Sequence, residues 1–306
     1  MSFSVTILGS SSALPTAKRN LSAHVLNVHE HFYLIDCGEA TQMQMRRFKI
    51  PISKINHIFI THLHGDHFLG LFGLISTFSI LGRKCDLNIY AHADLEKIIQ
   101  NLEEYLAPQF KIVFYHLQPS KHQLIYENKH ITVHTVPLKH RVPACGFIFK
   151  EKLKPFNIRK EMIPMYNLSI ADIVKIKNGD DFITDTGEVI ENAILTTPPA
   201  LPISYAYISD TRYSEKIIPY IKDVNLLYHE TTYLHDLADL AKERMHSTAL
   251  QAGEIARLAN AKQLLIGHFS IRYTDVQPLL NEAMSVFPNT VVADDGKTID
   301  ICEMTS

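Results

Sequence analysis

The chain has no tryptophan, four cysteines and no apolar run long enough to span a bilayer. The last absence excludes a membrane-spanning helix, and no membrane partner is expected. Cys37, Cys85, Cys145 and Cys302 are scattered without Cys-x-x-Cys spacing. They read as reduced, mostly buried thiols of a cytosolic protein, not as a disulfide framework. The opening MSFSVTILGSSSALPT lacks a basic stretch followed by an apolar one, so no secretion signal is expected and the address is the cytoplasm. A surplus of one charge is missing too. The formal net charge is −2, which gives no global attraction to nucleic acid or membrane. What the chain does have is ordinary globular material, 46% hydrophobic and 20% charged, in 306 residues. That is enough for one large domain or two small ones around a real core. Histidine is the outlier, with 17 residues, and it hints at metal chemistry.

The first half reads as short β-branched or aromatic strands: FSVTILG, SAHVLNV, FYLIDCG, HIFITHL, LNIYAH, KIVFYHL and ITVHTV. Helical patterns cover Glu39–Phe48, Phe68–Leu81 and Asp94–Leu106. In the second half YAYISD, LLYHET, QLLIGHF and TVVAD alternate with helical segments near Ser214–Ile221, Ser247–Asn260 and Asp275–Phe287. Ser247 followed by Gln251 predicts the start of one of these helices. Strands and helices alternating in two similar halves suggest two packed sheets covered by helices. Between the halves, about Lys150 to Ala200, the composition shifts. Its first part carries Lys150, Lys152, Lys154, Arg159, Lys160, Lys175 and Lys177 against only Glu151, Glu161 and Asp172, and the stretch ends in the turn-rich TTPPALP. It reads as a basic insertion or as a solvated loop.

The decisive motif is Thr61-His62-Leu63-His64-Gly65-Asp66-His67, directly after the apolar HIFI. In extended chain His62 and His64 point to the same side, because side chains alternate. Gly65 is expected to let the backbone turn so that Asp66 and His67 face a second position. Two pairs of ligands offset by a turn suit two metal ions. Imidazole with carboxylate favours zinc, with manganese or iron as alternatives. A histidine-rich surface turn would be the plain explanation, but His-x-His-x-Asp-His after a buried strand has little other use.

This signature resembles that of the metallo-β-lactamase superfamily, an α/β fold built as an αβ/βα four-layer sandwich. The resemblance implies three further ligands in order, a histidine, a bridging aspartate and a last histidine. His140 in PLKHRVPACGF, Asp210 in AYISDTRY and His268 in LLIGHFSIRY fill those places. Several motifs are similar to the ribonuclease Z branch in particular. They are Ile7-Leu8-Gly9-Ser10 with Pro15 and Arg19-Asn20, Leu34 to Gln42, His229-Glu230-Thr231-Thr232-Tyr233 with Thr231 in place of alanine, and His246-Ser247-Thr248-Ala249. The likeness covers essentially the whole chain.

What the resemblance implies is specific. One ion takes His62, His64 and His140, the other takes Asp66, His67 and His268, and Asp210 bridges them. Asp36 orients a ligand histidine. Asp66 handles the attacking water, and His246, kept protonated by Glu230, donates a proton to the departing ribose oxygen. The substrate is precursor tRNA, cut to leave a tRNA 3′-hydroxyl and a trailer 5′-phosphate, by a homodimer. The insertion would be an arm that grips tRNA, with Lys152, Lys154, Arg159 and Lys160 on RNA, and Arg272 beside the last ligand. It departs from the family in reading Ile163-Pro164-Met165-Tyr166-Asn167 where a Gly-Pro pair is usual. Two rivals keep the fold. A small-molecule phosphodiesterase or arylsulfatase-like hydrolase would not need the insertion. A non-catalytic RNA-binding member would not need the ligands.

Overall fold

The computed structural model describes residues 2–305. The first strands are β1 (Phe3–Gly9), β2 (Ala23–Val28), β3 (His31–Ile35), β4 (Ile55–Phe59), β5 (Leu87–Ala91) and β6 (Ile112–His116). Next come β7 (Leu124–Glu127), β8 (Ile131–Pro137) and β9 (Cys145–Glu151), then the two-residue strands β10 (Asn157–Ile158), β11 (Phe182–Ile183), β12 (Val189–Ile190) and β13 (Thr196–Thr197). The last are β14 (Ser204–Ile208), β15 (Leu226–Glu230), β16 (Gln263–Gly267), β17 (Thr290–Val292) and β18 (Thr298–Asp300). One seven-stranded sheet runs β18-β1-β2-β3-β4-β5-β6 and the other β17-β16-β15-β14-β9-β8-β7.

Alternation of side chains explains why the sheets stack. Along β4, Ile58 faces outward and Phe59 faces the opposite sheet; along β14, Ala206 and Ile208 face outward while Tyr205 and Tyr207 face in. The inward set, with Val5, Ile7, Tyr33, Phe147, Phe149, Tyr228 and Leu265, forms a core between the sheets. On the first sheet's outer face lie the helices Thr41–Arg47, Gly70–Ile80 and Asp94–Asn101, through Met45, Leu71, Leu74, Phe78, Leu95 and Ile99. On the other, Ala249–Leu258 and Gln277–Val286 contribute Ala252, Ile255, Ala256, Leu279 and Ala283. Helix, sheet, sheet, helix is the four-layer sandwich that the family resemblance implies.

Local details differ from the sequence reading. The expected helix over Asp94–Leu106 breaks at Leu102 into Asp94–Asn101 and Glu103–Leu106. The helix near Ser247 starts one residue later. Thr248 is its N-cap, in a capping box with Gln251, because reciprocal capping needs a spacing of three. Ser247 instead donates its hydroxyl to Thr211 O at 2.7 Å. The turn expected at Gly65 is a helical one, Gly65–Phe68, with His64 as N-cap.

By its contacts the chain divides into two compact units, one built from the stretches before Glu151 and after Pro202, the other being Glu151–Pro202. The smaller unit has its own core of Leu168, Ile176, Ile190 and Leu195. Its helix Ile170–Lys177 is capped by Ser169 and Asp172 in a capping box. Its charge is segregated. Residues 152–177 hold all six of its Lys and Arg, whereas Asp180, Asp181, Asp185, Glu188 and Glu191 follow without a basic residue, and the whole carries eight acids. The smaller unit is therefore basic only in its first half.

Candidate metal centre

In open α/β sheets, groups that act on ligands collect beyond the carboxyl ends of parallel strands, and this chain follows that rule. The His62–His67 motif leaves the end of β4, which pairs in parallel with β3 and β5. Strands β14, β15 and β16 are parallel neighbours, with Ile208 opposite His229 and Glu230 opposite Gly267. That register sets Asp210, Glu230 and His268 side by side at one end of the second sheet. His140 comes from the loop between β8 and β9.

Three clusters of ligand atoms result, each within 4.8 Å: His62, His64, His140 and Asp210; Asp66, His67 and His268; and Asp210, His246 and His268. Asp210 divides its carboxylate between the first two. Its Oδ2 lies 3.7 Å from both His62 Nε2 and His140 Nε2, and its Oδ1 lies 3.2 Å from His67 Nε2 and 3.1 Å from His268 Nε2. Asp66 Oδ2 sits 3.4 Å from both His67 Nε2 and His268 Nε2, and accepts the Ala13 backbone N–H at 2.8 Å.

Polar partners fix which nitrogen of His62, His67, His140 and His268 faces the centre. His67 Nδ1 donates to Asp36 Oδ2 at 2.8 Å, and His140 Nδ1 donates to Met245 O at 3.0 Å. His268 Nδ1 lies 3.0 Å from Thr232 Oγ1, and His62 Nδ1 lies 3.0 Å from Thr61 Oγ1. Histidines held this way present an Nε2 lone pair inward, the usual arrangement around a bound metal. The Nε2 atoms of His67 and His268 are buried without a hydrogen-bond partner. Such orphaned nitrogens among carboxylate oxygens are costly unless a cation meets them. The residues therefore fit divalent cations. Charge agrees: burial alone would keep His67 neutral, yet Asp210, Asp66 and Asp36 outweigh it and hold the ring well above its usual range. The carboxylates call for positive charge at this point.

Asp36 is buried in a left-handed conformation, φ 55°, and accepts from Thr61 N at 2.8 Å and Tyr207 OH at 3.1 Å besides His67. His268 is also left-handed, φ 59°. Strained non-glycine backbone is kept where surroundings over-determine it, and both residues sit in this polar shell. Glu230, fully buried, accepts from His246 Nδ1 at 2.9 Å, Thr211 N at 3.0 Å and Thr232 Oγ1 at 2.6 Å. Burial works against a charge on His246, but Glu230 outweighs it and raises its pKa to about 9. A ring held protonated through Nδ1 in this way has a proton on Nε2 that it can give up.

The seven ligand candidates, Asp36, Glu230 and His246 thus converge, and Arg272 stands exposed on the loop after His268. Lys152, Lys154, Arg159 and Lys160 belong to the smaller unit. There Lys154 Nζ lies 3.7 Å from Glu151, and Arg159 Nε donates to Thr196 O at 3.1 Å. Thr232, Tyr207 and Arg212 escaped the sequence reading. The only signal for Thr232 was its place in the His-Glu-Thr-Thr run.

Two packed sheets with helices outside and a histidine–aspartate centre at the strand ends define a hydrolase of the metallo-β-lactamase fold. The metallo-β-lactamase fold protein YhfI from Bacillus subtilis superposes with a TM-score of 0.69, over 98% of this chain and 100% of that one, at 21% identity. A family profile described as "Anti-Pycsar protein Apyc1" matches residues 3–155, the half that holds the His62–His67 motif. The similarity to curated relatives spans the whole chain. It is 48% identical to a ribonuclease Z of Phocaeicola vulgatus, over 98% of this chain and 97% of the relative, and 43% identical to that of Porphyromonas gingivalis W83, over 98% and 99%. The short form of human tRNase Z superposes with a TM-score of 0.70 at 25% identity, over 97% of this chain and 99% of that one. The chain belongs to the ribonuclease Z family.

Proposed function

We propose that this chain is a zinc-dependent endoribonuclease that cuts precursor tRNA on its 3′ side, leaving a 3′-hydroxyl on the tRNA and a 5′-phosphate on the trailer. The observation that carries it is the divided carboxylate of Asp210, with one oxygen toward His62 and His140 and the other toward His67 and His268. That division suits two ions, one also held by His64 and the other by Asp66. Imidazole and carboxylate donors favour zinc. When bound, such a pair supplies Lewis acidity and a water acidic enough to attack near neutral pH.

The protein's own groups do the rest. Asp66, steadied by the Ala13 N–H, orients the attacking water. Glu230 holds His246 through Nδ1, which leaves Nε2 to give a proton to the departing ribose oxygen. Asp36 keeps the His67 ring in place. We take the chain as one metallo-β-lactamase-type domain carrying residues 150–200 as an insertion that holds tRNA. Lys152, Lys154, Arg159 and Lys160 would contact phosphates there, and Arg272 would do so near the centre. A homodimer in the cytoplasm completes the proposal, and sedimentation of the purified protein tests the assembly. No helix among the described residues is long and apolar enough to cross a membrane.

The direct experiment incubates the zinc-loaded protein with a precursor tRNA and maps the new ends. A single cut beside the acceptor stem with the stated ends is expected. A protein that hydrolyses small diesters but leaves the precursor intact would overturn the RNA reading in favour of a small-molecule phosphodiesterase.

A further inference from the structure

Beside the centre lies a cavity of about 630 Å³ lined by Lys139, His140, Arg141, Arg212 and Met245, together with Pro119 to Ser120 and Leu138 to Ala144. No carboxylate lines it. A second cavity of about 320 Å³ shares Arg212 and adds Lys242, Asp239 and His246. Arg212 therefore stands where the two meet, between the ligand His140 and the proton donor His246.

Its backbone is tied to the centre. Arg212 N donates to Lys139 O at 3.0 Å, Lys139 N donates to Thr211 Oγ1 at 3.1 Å, and Thr211 N donates to Glu230 Oε1 at 3.0 Å. The loop that carries Asp210 thus also fixes these cations. Among the described residues no hydrogen bond or ion pair reaches the side chain of Lys139 or Arg212. A half-buried guanidinium without a partner is unfavourable, and its planar fork matches two phosphate oxygens.

We infer that this cavity is a subsite for an RNA backbone phosphate next to the scissile one, on the His246 side. The inference deepens the RNA reading and rests on it for the identity of the ligand. Lys139 and Arg141 extend the same positive wall away from the reacting bond, whereas Arg212 is the contact nearest to it.

The test measures binding of a fluorescent single-stranded RNA pentamer to zinc-loaded protein by anisotropy, alongside processing of precursor tRNA. Arg212→Ala and Lys139→Ala should keep zinc content and circular dichroism, since neither side chain has a protein partner. Arg212→Ala should weaken pentamer binding about tenfold, as expected for loss of a hydrogen bond to a charged group. The salt slope should flatten by about 0.7 per lost contact. A methylphosphonate at one linkage should weaken wild-type binding by a similar factor and leave Arg212→Ala indifferent. Unchanged affinity and slope in both variants, or equal methylphosphonate effects in wild type and Arg212→Ala, would overturn the subsite. Wild-type protein that binds the pentamer through Arg212 yet leaves precursor tRNA intact would overturn the proposed function and keep the subsite. Processing of precursor tRNA with pentamer binding indifferent to both residues would do the reverse.

Discussion

Asp210 has both carboxylate oxygens committed, so it cannot be replaced by a residue that serves one cluster. Asp210→Ala should lose most of its bound metal as well as its activity, measured by elemental analysis and precursor cleavage. Full metal content in that variant would remove Asp210 from the centre. His246 is different, since its hydrogen bond runs to Glu230. His246→Ala should retain metal and lose on the order of 10²–10⁴ in rate. A substrate whose leaving group needs no proton should recover most of that loss; equal damage on both substrates would assign His246 to positioning. At this scale the sequence was informative wherever a polar residue ends a strand-like run, as His62, Asp210 and His268 do. Thr232 and Tyr207 were not legible. Thr232 meets His268 only through the parallel pairing of β15 and β16, and Tyr207 meets Asp36 only because two sheets stack.

Individual elements show how the scaffold holds the centre. Gly70 opens the helix behind the histidine motif, where a Cβ would lie 1.9 Å from Gly38 O. Gly70 N also donates to Cys37 O, beside Asp36. Gly70→Ala must push that helix from the strand β3 turn, at a cost of about 1–3 kcal/mol. Zinc affinity should fall with it, because Asp36 moves. Thr248→Ala removes a cap on the far side of the second sheet and should cost about 1 kcal/mol without changing zinc affinity. Denaturant midpoints and zinc competition separate the two, and equal effects on affinity would refute the link through Asp36. The regular strands β1 to β6 were readable because apolar and β-branched runs are cut by turn residues. β9 was missed, since its buried run CGFIF follows a proline-rich loop with no alternation to mark it. The short helix Ala238–Arg244 was missed because it is mostly polar and ends on a left-handed Met245, not on glycine.

For the whole molecule, Glu151–Pro202 invites a clean excision. Lys150 pairs with Ser204 across antiparallel β9 and β14, so a two-residue turn can replace everything between them. The shortened protein should fold, hold metal and process precursor tRNA far less efficiently; undiminished processing would make the unit dispensable. Point changes give a finer test. Lys152, Lys154, Arg159 and Lys160 to alanine should weaken precursor binding and flatten its salt dependence. Arg159 also holds Thr196 O, so Arg159→Gln, which removes the charge but keeps an N–H donor, is the better member of that set. In the sequence this region stood out as a shift in composition over about Lys150 to Ala200. Its five trailing acids mean that any grip on phosphate must come from its first half.

The split origin of the ligands has a consequence for unfolding. His62 to His67 hang from one sheet and His140, Asp210 and His268 from the other, so cations held by both sets would stitch the sandwich shut along one rim. A ligand that binds only the folded state stabilises it by about 2.7 kcal/mol at a hundred times its Kd. Chelation should therefore lower the melting temperature and speed amide exchange first in the loops around His64, His140 and His268, while the strands between the sheets stay protected. Metal bound there would then act as a clasp that closes the molecule as well as the reagent it is built around.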